Sequence, residues 1–352
     1  MKYSIIVPVY NRPDEVDELL SSLTRQSLRD FEAIIVEDGS SVPCREVCSK
    51  YEGLMDLHYY DKPNSGPGQS RNYGVERARG EYVLILDSDV VLPDGYLQAV
   101  DDELQGNPAD AFGGPDSAHD SFTDTQKAIS YSMTSFFTTG GIRGGKKKLD
   151  KFYPRSFNMG VRRDVYQRLG GFSRMRFGED IDFSIRIFKA GCHCRLFPGA
   201  WVWHKRRTDF RKFWRQVYNS GIARINLYRK YPDSLKLVHL LPMVFTIGVI
   251  GTFLLLFFGF LPYLLGTVHI FPFLGNAMAA LGCIGSFLII LYSIVLCIDS
   301  AKENKSVKIG LLSICAAFTQ LMGYGCGFLS AWWKRCVLGK DEFSAYSKTF
   351  YK

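Results

Sequence analysis

Two hydrophobic patterns divide this chain. Up to about residue 236 the apolar stretches are short, and each leads into a polar turn or a segment of helical period. YSIIVPV at 3–9 reads as a buried strand. Pro13, Asp14 and Glu15 then open a helix running to about Gln26, with proline at an early helical position and acids in the first turn. FEAIIVEDGS is a second strand ending in a polar turn. A helix near 43–52, a strand near 55–60, a helix over PGQSRNYGVERARG (67–80) and the buried strand EYVLILDSD (81–89) follow. Strands that are apolar throughout, alternating with helices, predict an α/β fold around a mostly parallel sheet covered on both faces. Farther on, DAFGGPD (110–116) suggests a strand with a turn, SFTDTQKAISYSMTSFF (121–137) an amphipathic helix and TTGGIRGGKKK (138–148) a basic loop. FNMGVRR, DVYQRLGGF and GEDIDFSIRIFKAG then suggest a strand, a short helix and a longer one.

Beyond residue 237 charge almost disappears. The runs 237–266, 276–298 and 307–333 are each long enough to cross about 30 Å of hydrocarbon, although the third contains Gly323, Gly325 and Gly327. Lys302, Lys305 and Lys308 make the link after the second run, up to the start of the third, basic, and Lys334, Arg335 and Lys340 follow the third, so both of its ends carry the basic signature of the cytoplasmic side. Three complete crossings would put the residues after it outside. That conflict predicts that one segment is re-entrant or lies in the interface.

Charge sharpens the picture. Of the 43 Lys and Arg in the 352 residues, ten lie between Lys205 and Lys236, against Asp209 and Asp233. A basic stretch just before an apolar run fits anionic lipid headgroups better than nucleic acid, and it places the preceding domain on the cytoplasmic side of the cell membrane. The nine cysteines are an odd number, and four lie in the apolar runs, which argues against a disulfide framework. The apolar run in MKYSIIVPVYNR is too short for the core of a signal peptide.

In open α/β sheets ligands sit at the carboxyl ends of the strands, and polar residues cluster there: Asn11 and Arg12, Glu37 and Asp38, then Asp87 and Asp89. Hard cations such as Mg²⁺ and Mn²⁺ take oxygen ligands, and a diphosphate can complete their shell, so Asp87-Ser88-Asp89 is a candidate metal site. An isolated Asp-x-Asp is more often a turn.

SIIVPVYNR, VEDGSS, SRNYGVERARGEYVLILDSD and GEDIDFSIRIFKAG, in this order and at these spacings, resemble the family 2 glycosyltransferases of the GT-A nucleotide-sugar fold, over about residues 1–205. The resemblance implies that Pro8, Tyr10, Asn11 and Arg12 border the nucleotide, that Asp38 accepts a hydrogen bond from base or ribose, and that Arg71 lies near the phosphates. Glu37 departs from the family's usual Asp without a change of charge. Asp89 would ligate a Mn²⁺ or Mg²⁺ ion, Asp87 the ion or the ribose, with Ser88 beside them. His204 matches a position where some relatives add a metal ligand, a buried hydrogen-bonded histidine being the alternative. Asp180 takes the place of the catalytic base, with Glu179 beside it. Asp182, four residues before Arg186, reads as half of a helix-surface ion pair. Gly113, Gly114, Pro115, Asp116 and Asn158 are candidates for sugar and acceptor contact, and 138–148 for a loop closing over the donor.

The Gln-x-x-Arg-Trp signature of processive synthases is missing, RQVYNSG at 215–221 being the nearest stretch, so single transfer is favoured over chain extrusion. SGPGQSRNYG does not complete the dinucleotide fingerprint. The expectation is a catalytic domain over 1–205, a basic amphipathic juxtamembrane segment over 206–236, a membrane region of about three apolar segments over 237–333 and a basic tail over 334–352. The implied partners are a nucleotide-diphosphate sugar, UDP-linked by family default, a lipid or lipid-linked saccharide acceptor and the membrane, with no nucleic acid. A processive synthase and a non-catalytic sugar-nucleotide or lipid sensor are the rival readings.

Overall fold

The computed structural model describes residues 1–117, 122–139, 152–205, 208–265 and 272–346; the greater part of the 138–148 loop lies outside them. The chain forms two compact units. The first holds the described residues of Met1–Ser121, Lys147–Lys205 and Tyr346–Lys352, and the second those of Phe122–Lys146 and Arg206–Ala345.

The first unit begins with β1 (Tyr3–Val9), α1 (Pro13–Thr24), β2 (Phe31–Asp38), α2 (Arg45–Ser49), β3 (Asp56–Lys62), α3 (Pro67–Val75) and β4 (Tyr82–Leu86). Next come β5 (Val90–Val91), α4 (Tyr96–Gly106), β6 (Ala111–Gly113) and β7 (Asp116–Ser117). After α5 (Asp124–Thr134) and α6 (Phe136–Thr139), which belong to the second unit, the first resumes with β8 (Asn158–Arg162), α7 (Arg163–Arg168), α8 (Glu179–Lys189), β9 (Cys194–Leu196) and β10 (Val202–His204). Seven strands form one sheet in the order β3-β2-β1-β4-β8-β6-β9. Its first four strands are parallel neighbours, whereas β8 runs antiparallel to both β4 and β6.

The unbroken apolar strands are explained by two cores. Ile5, Val7, Ala33, Ile35 and Leu84 pack on one face with Leu19, Leu20 and Leu23 of α1 and Leu97 and Val100 of α4. Ile6, Ile34, Val36, Val83 and Ile85 pack on the other with Val75 of α3, Val165 of α7 and Phe183 and Ile187 of α8. Because successive residues of a strand point to opposite faces, a sheet covered on both sides needs apolar residues at every position.

In the second unit, α5 and α6 join α9 (Phe210–Lys230), α10 (Leu241–Leu264), α11 (Pro272–Asn304) and α12 (Val307–Trp332). Thr123 and Gln126 cap α5 reciprocally. Its apolar side, Ala128, Ile129 and Met133, is buried with Phe213 and Val217 of α9 and Ile309 and Ala316 of α12. The Tyr131 hydroxyl donates to Asp299 of α11 at 2.6 Å, and Lys308 pairs with Asp124 at 2.8 Å. Helices α10 and α11 form an antiparallel hairpin in which Gly259 meets Ala279, Gly282 meets Leu256 and Gly285 meets Thr252. The glycines of the third apolar run face two neighbours: Gly323 meets Trp214 and Val217 of α9, Gly327 meets Tyr218, and Gly325 meets Pro242 and Thr246 of α10. Three helices, Leu237–Leu264, Phe273–Asn304 and Val307–Val337, are long and apolar enough to cross a membrane.

Candidate active site

A second, three-stranded sheet assembles the carboxylates. Its order is β5-β10-β7, with His204 paired to Val90 and Val202 to Asp116. Since Val90 directly follows Asp89, this pairing carries the His204 ring to the Asp-x-Asp turn, and the Lys205 amide closes the seam by donating to the Asp89 carbonyl at 2.9 Å. His204 Nε2 lies 3.2 Å from Asp89 Oδ1 and His204 Nδ1 lies 3.6 Å from Asp116 Oδ2. One ligand atom each from Asp87, Asp89 and His204 falls within 4.8 Å of the others. Phe157 stacks on the imidazole at 4.9 Å between ring centres.

Arg71, projecting from α3, ties this group to α8. Its guanidinium bonds Asp87 at 2.8 Å and Glu179 at 3.1 Å, with the side chain 4% exposed. Gly178, at φ 85°, takes the left-handed conformation that starts α8 and sets Glu179 and Asp180 in its first turn. Asp180 Oδ2 accepts from Arg155 Nε at 2.7 Å and Oδ1 from the Ile181 amide at 2.9 Å. Burial pushes both carboxyls upward. For Glu179 burial and the neighbouring Asp180 charge prevail over Arg71, and its pKa is raised. For Asp180 the burial effect is outweighed by Arg155, Arg71 and the Ile181 amide, and its pKa is lowered. Two adjacent carboxyls are thus driven in opposite directions, Glu179 up and Asp180 down.

The remaining strand-end residues lie where the parallel sheet ends. Arg12 pairs with Glu15 and stands 3.7 Å from Asp89 Oδ2. Asn11, at φ 55°, accepts the Val42 amide at 2.9 Å on its side chain, and its own amide donates to Ser40 at 2.7 Å, joining the turns after β1 and β2. Pro8 is partly buried and Tyr10 is 52% exposed. Ser88 is buried, its hydroxyl 3.4 Å from Glu15. Asp38 binds Lys62 and accepts the Ser65 and Gly66 amides, both at 2.9 Å, so in this state it shapes the turn into α3. Glu37 accepts the Cys44 amide at 2.7 Å.

Three of the sugar-contact candidates, Gly113, Gly114 and Asn158, are interior. Asn158 is 1% exposed, accepts from the Tyr96 hydroxyl at 2.7 Å and donates to the Ala200 carbonyl at 2.8 Å. A Cβ on Gly114 would stand 1.6 Å from that same Ala200 oxygen, so glycine there admits the protein's own backbone. Asp182 is fully buried; it pairs with Arg186 at 3.0 Å, whose guanidinium also donates to the Leu169 and Gly171 carbonyls. The expected surface pair is therefore an interior one. Arg155 was not foreseen: it lies 25 residues from the carboxylate it holds, in a stretch with no periodic pattern.

Two oxygens and one imidazole nitrogen form a donor set that suits Mn²⁺ or Mg²⁺. A second acidic group, Glu32, Asp56 and His58, is also compact, but Arg79 pairs with both of its carboxylates, at 2.8 and 2.6 Å.

Parts of the chain are similar to known glycosyltransferases. Over 93 residues the chain is 38% identical to a poly(ribitol-phosphate) beta-N-acetylglucosaminyltransferase, TarS, of Staphylococcus aureus, covering 25% of this chain and 16% of that one. A probable glycosyltransferase of Bacillus subtilis, YdaM, is 25% identical over 228 residues, covering 61% and 53%. An uncharacterised glycosyltransferase of Rickettsia felis is 39% identical over 88 residues, covering 25% and 15%. The chain thus spans between about a seventh and about a half of the length of these relatives. Among solved structures, a mannosyltransferase from Pyrobaculum calidifontis in complex with GDP-Man and Mn²⁺ superposes with a TM-score of 0.55 at 15% identity, covering 95% of this chain and 88% of that one, which is a likeness of fold. Residues 4–170 match the model of glycosyl transferase family 2, and with the GT-A-like sheet and its strand-end carboxylates they make the N-terminal part of this chain a glycosyltransferase domain of that family.

Proposed function

We propose that the chain catalyses inverting transfer of a single sugar from a nucleoside diphosphate sugar, UDP-linked, to a lipid or lipid-linked saccharide acceptor at the cytoplasmic face of the cell membrane, in cell-envelope glycan synthesis. The observation that carries this reading is the convergence of Asp87, Asp89 and His204 within 4.8 Å, beside Arg12 and Arg71, where the parallel strands end. Relatives named for N-acetylglucosaminyl and mannosyl transfer, one solved with GDP-Man and Mn²⁺, support the donor class and the metal.

In this mechanism Arg12 and Arg71 supply positive charge to the donor phosphates. Asp87, Asp89 and His204 hold the divalent cation, which when bound neutralises charge developing on the leaving diphosphate. Asp180, ionised and oriented by Arg155 and the Ile181 amide, takes the proton of the acceptor hydroxyl as its oxygen bonds to the anomeric carbon and the bond to diphosphate breaks on the opposite side. Glu179 keeps Arg71 in place and lines the acceptor side. The apolar helices of the second unit hold the enzyme where a lipid acceptor resides, which raises its effective concentration.

Calorimetry with a panel of UDP, GDP and CMP sugars, with and without Mn²⁺, tests the reading. Metal-dependent binding of one donor is expected, followed by its slow hydrolysis. Asp89→Ala should abolish the metal-dependent part, and retained affinity in that variant would remove Asp89 from the site. Binding without turnover on any acceptor would favour the sensor reading.

A further inference from the structure

The third apolar helix, α12, meets the α10–α11 hairpin at one end of it. Gly310 of α12 meets Cys297 and Ala301, Ser313 shares a hydrogen bond with Ser300 at 2.7 Å, and Phe318 packs on Tyr292 of α11 and Phe245 of α10. Leu321 accepts from Thr246 at 3.3 Å, and Gly325 meets Pro242 and Thr246. The stretch of α12 from Gly310 to Gly325, about 22 Å of helix, therefore touches the hairpin between residues 242–246 of α10 and 292–301 of α11. The hairpin's own register sets 252 beside 285 and 259 beside 279, which puts 242–246 level with about 292–296. Along those 22 Å, α12 thus advances only about 8 Å along the hairpin axis.

Two further observations fix which end this is. Helix α11 has 33 residues, about 50 Å, whereas about 20 residues cross the hydrocarbon; its last part, with Asp299, Lys302 and Glu303, is the part that α12 touches. Helix α9 runs beside α12 in the same direction, from Trp214 and Val217 at Gly323 to Arg229, which donates to the Arg335 carbonyl at 2.9 Å. It carries Arg211, Lys212, Arg215, Arg224, Arg229 and Lys230 and no acid. Were α12 to cross the bilayer, its second half would draw this cationic helix into hydrocarbon, where each charge is costly.

We propose that α12 lies in the plane of the membrane surface across the base of the hairpin, its exposed Leu311, Cys315 and Trp332, and Trp333 just after it, against lipid, with the α9 cations at the depth of anionic headgroups. The chain then crosses the membrane twice, and the residues after α12 return to the side of the catalytic domain. This arrangement resolves the basic residues at both ends of the third run.

The test uses the full chain in sealed vesicles of each orientation, treated with a membrane-impermeant amine reagent and read by mass spectrometry, with permeabilised vesicles as the reference for full reaction. Lys308 in the first turn of α12, Lys340 beyond its far end and Lys189 of the catalytic domain are all exposed. All three should react from the same face. Reaction of Lys340 from the opposite face alone would establish a third crossing and overturn the proposal.

Discussion

Asp180 is subject to two opposed influences, burial driving its carboxyl up and Arg155 with Arg71 driving it down, and the cations prevail. The sign of the consequence follows. A carboxyl lowered on folding adds stability above its unfolded value, near 4 for Asp, and that contribution is lost as pH falls through the folded value. The acid limb of the transfer rate should therefore lie below the ordinary carboxylate range. Arg155→Gln removes the foremost lowering charge, and the limb should move upward in a pH–rate profile, while an unmoved limb would detach Asp180 from the proton transfer. Asp180→Asn should lower transfer by about 10² to 10⁴ with donor binding near normal, the scale of a lost general base; wild-type turnover would end its candidacy. At this scale the sequence revealed which residues gather at the strand ends, since a strand ends in the same place whatever its neighbours. It did not reveal what each side chain binds. Asp182 looked like a surface pair because the i to i+4 spacing carries no information on burial, and Arg155 was invisible because its partner is set by tertiary packing.

At the scale of elements, the long members were legible, as were the short α2, β6 and α7, but four of the short strands were not. Strands β1, β2 and β4 and helices α1, α3, α5 and α8 each contain enough periods to declare themselves, whereas β5, β7, β9 and β10 have two or three residues apiece, too few for any period. Yet β5, β7 and β10 position Asp89, Asp116 and His204. The glycines of the third apolar run were noticed but could not be assigned a neighbour until α9 and α10 were seen to press on them. A Cβ at Gly327 would lie 2.0 Å from the Tyr218 carbonyl oxygen, so Gly327→Ala should lower stability in detergent by about 1–3 kcal/mol, the usual scale of overpacking. Gly248, around which an added Cβ meets nothing within 4 Å, supplies the control, and Gly248→Ala should leave the unfolding transition where it was. Equal transitions in both variants would argue against the close α9–α12 contact.

On the scale of the whole molecule, the division between units does not follow the order of the chain. The described residues 122–139 belong to the second unit, and by residue 152 the chain is back in the first. The sequence showed an amphipathic helix there but not which surface its apolar side would meet, because amphipathicity identifies a face and never its partner. A protein ending after Lys205 would keep α5 and lose Phe213, Val217, Ile309 and Ala316, leaving Ala128, Ile129 and Met133 uncovered. Such a protein should aggregate in gel filtration, and replacing 122–146 by a short polar linker should restore a monomer. A monodisperse chain of 205 residues with α5 intact would show that α5 packs elsewhere.

The stitched three-stranded sheet also bears on the order of assembly. Its strands come from residues 90–91, 116–117 and 202–204, so the carboxylate and imidazole donors meet only after more than a hundred intervening residues have been closed into a loop. Contacts of such long sequence separation form late and open early. The parallel strands can therefore persist while the donors are apart, and the Lys205 amide, bonded to the Asp89 carbonyl at 2.9 Å, becomes a clock: its hydrogen exchange times the opening of the donor set separately from the unfolding of the sheet.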